Sequence, residues 1–234
     1  MGGFLSRLWW APFLLVAACL LPACISGTAP VEGQGSAPVQ VRGRVALQGR
    51  TTAEESVLSV TSVGEEVRAE VVAEGLEVPW ELVFPPDGRI LVAERPGRIR
   101  VIRNGALQQA SWATLPVASV SEAGLMGMAL HPQFATNGHL FLCYTYRDPT
   151  GRLVNRVARL TDTGGVGVNH QVVLDGIPGA PIHDGCRLGF GPDGKLYVAM
   201  GDASDSRQAQ NLSSLSGKVL RLEADGSVPA DNPF

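Results

Sequence analysis

One pattern recurs three times along the chain and constrains its fold more than any other feature. "WELVFPPDGRILVAERPGRIRVI" (Trp80 to Ile102) and "CRLGFGPDGKLYVAMGD…GKVLRL" (Cys186 to Leu222) share an apolar strand, a P-D-G turn, a second strand and a later basic-apolar strand. "MGMALHPQFATNGHLFLCYTYRD…NRVARL" (Met126 to Leu160) is a degenerate copy with a longer turn. Aligned on Phe84, Leu130 and Phe190, the copies lie 46 and 60 residues apart, the spacing of four-stranded propeller blades with variable loops. A β-sandwich whose hairpins share P-D-G turns is the competing architecture, since backbone preference alone favours such turns. Three aligned elements per copy favour the propeller. The expected fold is all-β: about three blades of a larger β-propeller, built from residues 67–234.

The segment before the repeats has a different character. "MGGFLSRLWWAPFLLVAACLLPAC" carries one positive residue, Arg7, ahead of an apolar run that ends in small residues, the pattern of an export signal over residues 1–24. Leu21, Pro22, Ala23 and Cys24 resemble the bacterial lipobox, which implies lipidation of Cys24, a membrane anchor and a place in the cell envelope or periplasm; the alternative is an ordinary cleaved signal peptide in which Cys24 is incidental. Residues 25–66 are rich in Ala, Gly, Ser, Thr and Val and contain no aromatic residue, which reads as a flexible tether. "VQVRGRVAL" alternates and could add a stray strand. A net charge of −3 without a dense Lys/Arg block excludes nucleic acid as an expected partner. Beyond the signal only Cys143 and Cys186 remain; two distant cysteines make no disulfide framework, so two buried free thiols are expected.

In a propeller the first strand of each blade lines the central channel, and the loops leading into those strands form its mouth. The residues to inspect are Pro79 and Trp80, Glu122 to Gly124, and His183 to Gly185. If Gly191 to Gly194 form a four-residue turn, Phe190 pairs with Lys195, and the ladder carries His183 opposite Asp202. A carboxylate there accepts the imidazole Nδ1–H, fixes the tautomer and makes Nε2 a general base. A slip of one residue would separate the two side chains. The plainer alternative is that His183 caps a strand and Asp202 opens a turn. His131 and His139 fall in an outer loop expected to be exposed, and His170 in a polar connection. No spacing suggests zinc, and "GDASDS" reads as a turn rather than a calcium loop. Arg89, Arg95, Arg98, Arg100 and Arg103 read as a solvated edge.

Four motifs in order, "VPWELVFPPDGRILVAERPGRIRVI", "EAGLMGMALHPQF", "HDGCRLGFGPDGKLYVAMGD" and "AQNLSSLSGKVLRLEADGSVPADNPF", resemble the N-terminal half of the PQQ-dependent soluble glucose and aldose sugar dehydrogenases, which are six-bladed propellers. The resemblance covers Val71 to Phe234. It implies oxidation of the C1 hydroxyl of an aldose to a lactone, with His183 as catalytic base, Asp202 as its support and Glu122 at the rim beside cofactor and substrate. Cys186 stands where such proteins commonly have glycine. The cationic residues that hold PQQ and the calcium loop lie, by the same resemblance, beyond the "DNPF" motif. The 234-residue chain is therefore expected to be a fragment that neither retains PQQ nor turns over alone. A non-catalytic envelope propeller that binds a glycan or protein is the alternative. A metal-dependent lactonase would need several acidic ligands in the channel, where only Glu122 is visible. The sequence leaves the oligomeric state open.

Overall fold

The computed structural model describes residues 58–62, 65–69 and 71–233. The signal segment, Cys24 and "VQVRGRVAL" lie outside the described residues. β1 (Leu58–Ser62) and β2 (Glu65–Ala69) pair as an antiparallel hairpin that overlaps the stretch read as tether.

Three antiparallel sheets follow, one for each repeat. The first contains β3 (Pro79–Val83), β4 (Ile90–Glu94), β5 (Arg98–Arg103) and β6 (Ala106–Leu107) in that order, with β7 (Ala113–Thr114) also pairing on β5. The second contains β8 (Leu125–Leu130), β9 (His139–Arg147), β10 (Leu153–Thr163) and β11 (Val166–Pro178), again in consecutive order. The third contains β12 (Gly185–Phe190), β13 (Leu196–Met200) and β14 (Val219–Leu222), with a short 3-10 segment, Ser206–Gln210, between the last two. Sequential up-and-down strands in successive sheets are the blades of a propeller.

The turns show why the repeats fold this way. Gly88 and Gly194 close the two P-D-G turns at φ +82° and +73°, a left-handed backbone that other residues rarely adopt. Their amides bond to Pro85 O at 3.2 Å and Gly191 O at 3.0 Å. In the middle copy the longer loop winds into one helical turn, α1 (Phe134–Asn137), ended by Gly138 at φ +65°.

The core lies between blades, which explains why β9 is apolar on both faces. Leu140, Leu142 and Tyr144 join Leu91, Ile99, Trp112 and Leu125 in one buried cluster. Phe141 and Cys143 join Met126, Ile177, Leu188, Leu196 and Val198 in the other. Burying each Leu, Ile or Phe of these layers stabilises the fold by roughly 1.5–3 kcal/mol. The outer flank of β3, by contrast, exposes Trp80, Leu82 and Phe84 while Glu81 and Val83 point inward. That flank is where a propeller blade ordinarily meets a neighbour.

Two expectations require correction. Cys143 and Cys186 are not free thiols but a disulfide, with Cα atoms 5.5 Å apart, within the usual bridging range. Blade stacking sets β9 against β12, a juxtaposition that a separation of 43 residues does not reveal. Nor are Arg89, Arg98 and Arg100 free solvated charges, although Arg103 is exposed as expected. Arg89 is only 5% exposed and pairs with Asp87 and Asp162 at 2.6 and 2.7 Å. Arg98 and Arg100 converge on the fully buried Glu94 at 2.6 and 3.4 Å. Pairing by β6 and β7 places β5 inside its sheet, so its charges need internal partners.

Candidate active site

The strands β3, β8 and β12 share a detail that builds the site. Each carries one unpaired extra residue, a β-bulge, at Trp80, Met126 and Cys186 respectively. In β12 the ladder starts one residue away from the expected register: Phe190 pairs with Leu196 rather than Lys195, and Arg187 with Ala199. The bulge at Cys186 then restores the register, so that Gly185 pairs with Met200. The two departures from simple pairing cancel by the end of the ladder, and just beyond it the loops carrying His183 and Asp202 come together.

The pair is formed. His183 Nδ1 lies 3.2 Å from Asp202 Oδ1. An ionised carboxylate only accepts, so in this contact Nδ1–H is the donor, and Nε2 is the nitrogen a neutral ring would offer as acceptor. The His183 side chain is 59% exposed and Asp202 27%. Asp202 Oδ1 also accepts the Ser204 amide at 3.0 Å, and Ser204 Oγ donates to Ile182 O at 3.3 Å, tying the two loops together. Glu122 joins them: its Oε2 accepts the His183 amide at 3.1 Å, while its own amide donates to Pro181 O at 2.9 Å. All three residues singled out from sequence therefore meet at one rim.

Asp184, which falls in the inspected stretch His183 to Gly185 but has no role assigned from sequence, anchors this loop. It is 1% exposed; Oδ1 accepts from Asn155 Nδ2 and from the Ala180 amide, both at 2.9 Å. Oδ2 accepts from Thr145 Oγ1 at 3.4 Å. Asn155 and Thr145 face each other across β10 and β9, so blade 2 grips the loop of blade 3. No local pattern marks such an acid, because its partners come from another blade. Burial raises its carboxyl above the ordinary value of 3.8, outweighing the hydrogen bonds that lower it. A raised folded-state value means that the folded chain holds the proton more tightly, so stability declines as pH rises from 3.8 through that value. Asp184→Asn should then gain stability relative to the parent on moving from about pH 4 to about pH 7, read from urea midpoints at both. A gap that does not change with pH would contradict this.

A second unanticipated contact crosses from blade 1 to blade 3. Arg187 of β12 reaches Glu81 of β3 at 2.5 Å, and Glu81 is 6% exposed. Burial raises the Glu81 carboxyl, opposed by the Leu82 amide and by Arg187. Gly127 occupies the same repeat position in blade 2; a Cβ there would collide with the carbonyl oxygen of Cys186, so β8 and β12 can approach only around glycine.

The remaining histidines lie away from this rim. His131 and His139 are half-buried rather than exposed, with His131 packed against His139, Phe141 and Phe190. Desolvation lowers the pKa of both. His170 Nε2 meets the Tyr144 hydroxyl at 2.9 Å. Among the described residues no group of His, Cys, Asp and Glu is arranged to hold a metal ion.

Known proteins place this geometry in context. Residues 76–234 match the family model for glucose/sorbosone dehydrogenases. An aldose sugar dehydrogenase of Escherichia coli is 32% identical over 174 residues, covering 72% of this chain and 47% of that protein. The structure of a candidate oxidoreductase (glucose dehydrogenase) of Thermus thermophilus is 48% identical with a TM-score of 0.66, covering 70% of this chain and 50% of that one. The PQQ-bound aldose sugar dehydrogenase of Streptomyces coelicolor is 31% identical with a TM-score of 0.63, covering 78% and 53%. The chain thus spans about half the length of the relatives it matches. With the family model covering the whole of the repeat region, the chain belongs to the glucose/sorbosone dehydrogenase family.

Proposed function

We propose that this chain is the base-bearing half of a PQQ-dependent aldose dehydrogenase that oxidises the C1 hydroxyl of a sugar to a lactone. The observation that carries this reading is the His183–Asp202 pair at an exposed rim, in a chain of this family. With Nδ1–H held by Asp202, Nε2 accepts the proton of the C1 hydroxyl. Asp202 then stabilises the imidazolium through the same hydrogen bond. Glu122 holds the backbone of His183 and keeps the imidazole aimed outward. A quinone held by the rest of the propeller would supply the acceptor for the C1 hydride.

The described residues fit the proton-accepting part of this chemistry and not the holding of the cofactor. PQQ carries three carboxylates, whereas the groups around His183 are the acids Glu122, Asp184 and Asp202, and Arg187 is already paired with Glu81. An anionic ligand needs cationic donors. In this proposal they, and any calcium site, belong to the other half of the propeller.

The test joins this half to a complementary second half, adds PQQ and calcium, and follows aldose-dependent reduction of a dye. Activity that requires PQQ and a free C1 hydroxyl supports the reading. Binding of a glycan or protein at the rim with no PQQ uptake would replace it with a non-catalytic propeller.

A further inference from the structure

The bulge that aligns His183 with Asp202 differs from its two counterparts. Trp80 and Met126 bulge without left-handed backbone, whereas Cys186 has φ +66° and follows Gly185 at φ +69°. A residue with a Cβ disfavours that conformation, so an isolated Cys186 would tend to relax toward ordinary strand geometry. Relaxation would carry the Arg187–Ala199 register on to Gly185, one residue out of step with Met200, and so shift the loop that carries His183, itself at φ +64° beyond the end of the strand, relative to Asp202.

We infer that the Cys143–Cys186 disulfide is the positioning element that holds this bulge and thereby keeps His183 on Asp202. Cys143 is a fixed point: it is fully buried in the middle of β9, paired with Val157 on one side and Gly127 on the other. Its bond fixes the side chain of Cys186, while Gly127 lets the Cys186 carbonyl seat against β8. Three residues upstream, the Ala203 amide donates to His183 O at 3.1 Å and the Gly201 amide to Asp184 O at 2.9 Å, so alignment is transmitted through the backbone. Both cysteines are fully buried, which shields the bond from small thiols.

Two variants separate the cross-link from the backbone it imposes. Cys143→Ala removes the bond and leaves Cys186 to hold its conformation unaided. Cys143→Ala with Cys186→Gly also removes the bond, but glycine adopts the left-handed backbone freely. Far-UV circular dichroism checks folding, imidazole ¹⁵N spectra report the Nδ1–H tautomer of His183 with and without Asp202→Asn, and hydrogen exchange follows the amides of Gly201 and Ala203. In the parent, Asp202→Asn should change the His183 tautomer signal. In Cys143→Ala it should have no effect, and the two amides should exchange at least about tenfold faster. The glycine double variant should restore both readouts.

A Cys143→Ala chain that keeps the Asp202-dependent tautomer, with exchange within about twofold of the parent, overturns the inference. If that variant fails to fold, the glycine double variant decides: folded with the coupling supports it, folded without the coupling overturns it. Failure of both to fold also overturns it, since the bond would then hold whole blades together rather than one bulge. No readout requires turnover, so the result stands apart from the proposed dehydrogenase activity.

Discussion

His183→Ala in the completed propeller should lower turnover roughly 10²–10⁴-fold, the usual contribution of a positioned general base. The loss should fall on kcat with KM little changed, because the side chain acts on the proton as it leaves rather than on the bound sugar. Asp202→Asn should reproduce part of the loss, since an amide can present its NH₂ to Nδ1 and favour the wrong tautomer. Steady-state kinetics with saturating PQQ measure both. A near-normal rate in His183→Ala would remove this residue from the chemistry, whatever the family.

The largest effect on stability should come from Trp112→Ala. Trp112 is 1% exposed in the layer between blades 1 and 2, and its Nε1 donates to Asp162 Oδ2 at 2.8 Å. Its backbone also joins the blades: its amide donates to Ile99 O, and its carbonyl accepts from the Gly167 amide, both at 2.7 Å. The indole lies so close to β11 that a Cβ on Gly167 would collide with it. Truncation empties that space and leaves Asp162 relying on Arg89 and the Gly165 amide. The expected cost is about 3–5 kcal/mol, read from urea unfolding. A loss below about 1 kcal/mol would mean that the blades do not depend on this ring.

The parts of the fold legible in the sequence were those written locally. P-D-G turns and alternating strands announce themselves within a few residues, and their repetition pointed to blades that the three sheets bear out. A four-residue turn at Gly191 to Gly194 predicts the His183–Asp202 contact, whereas the turn has five residues, with Phe190 paired to Leu196. The structure arrives at the same contact because the bulge at Cys186 cancels the error. A bulge leaves no compositional mark, so nothing in the chain between Gly185 and Phe190 distinguishes five paired residues from six.

What stayed hidden depends on contacts between blades. Asp184 is explained by Asn155 and Thr145, Glu81 by Arg187, Arg89 by Asp162, and Cys143 by Cys186. Each partner lies in a different repeat, and stacking alone brings them together. The arginines of blade 1 were hidden by a contact within the blade: β5 reads as solvated until its pairing with β4 sets Arg98 and Arg100 on the buried Glu94.

The most direct test is a single-turnover experiment on the completed propeller loaded with PQQ and mixed with an aldose in the absence of a dye. The proposed function predicts that the quinone absorbance is bleached by a sugar with a free C1 hydroxyl, quickly in the parent and roughly 10²–10⁴-fold more slowly in His183→Ala. Bound PQQ that no aldose bleaches, or bleaching at the same rate in both proteins, would contradict it.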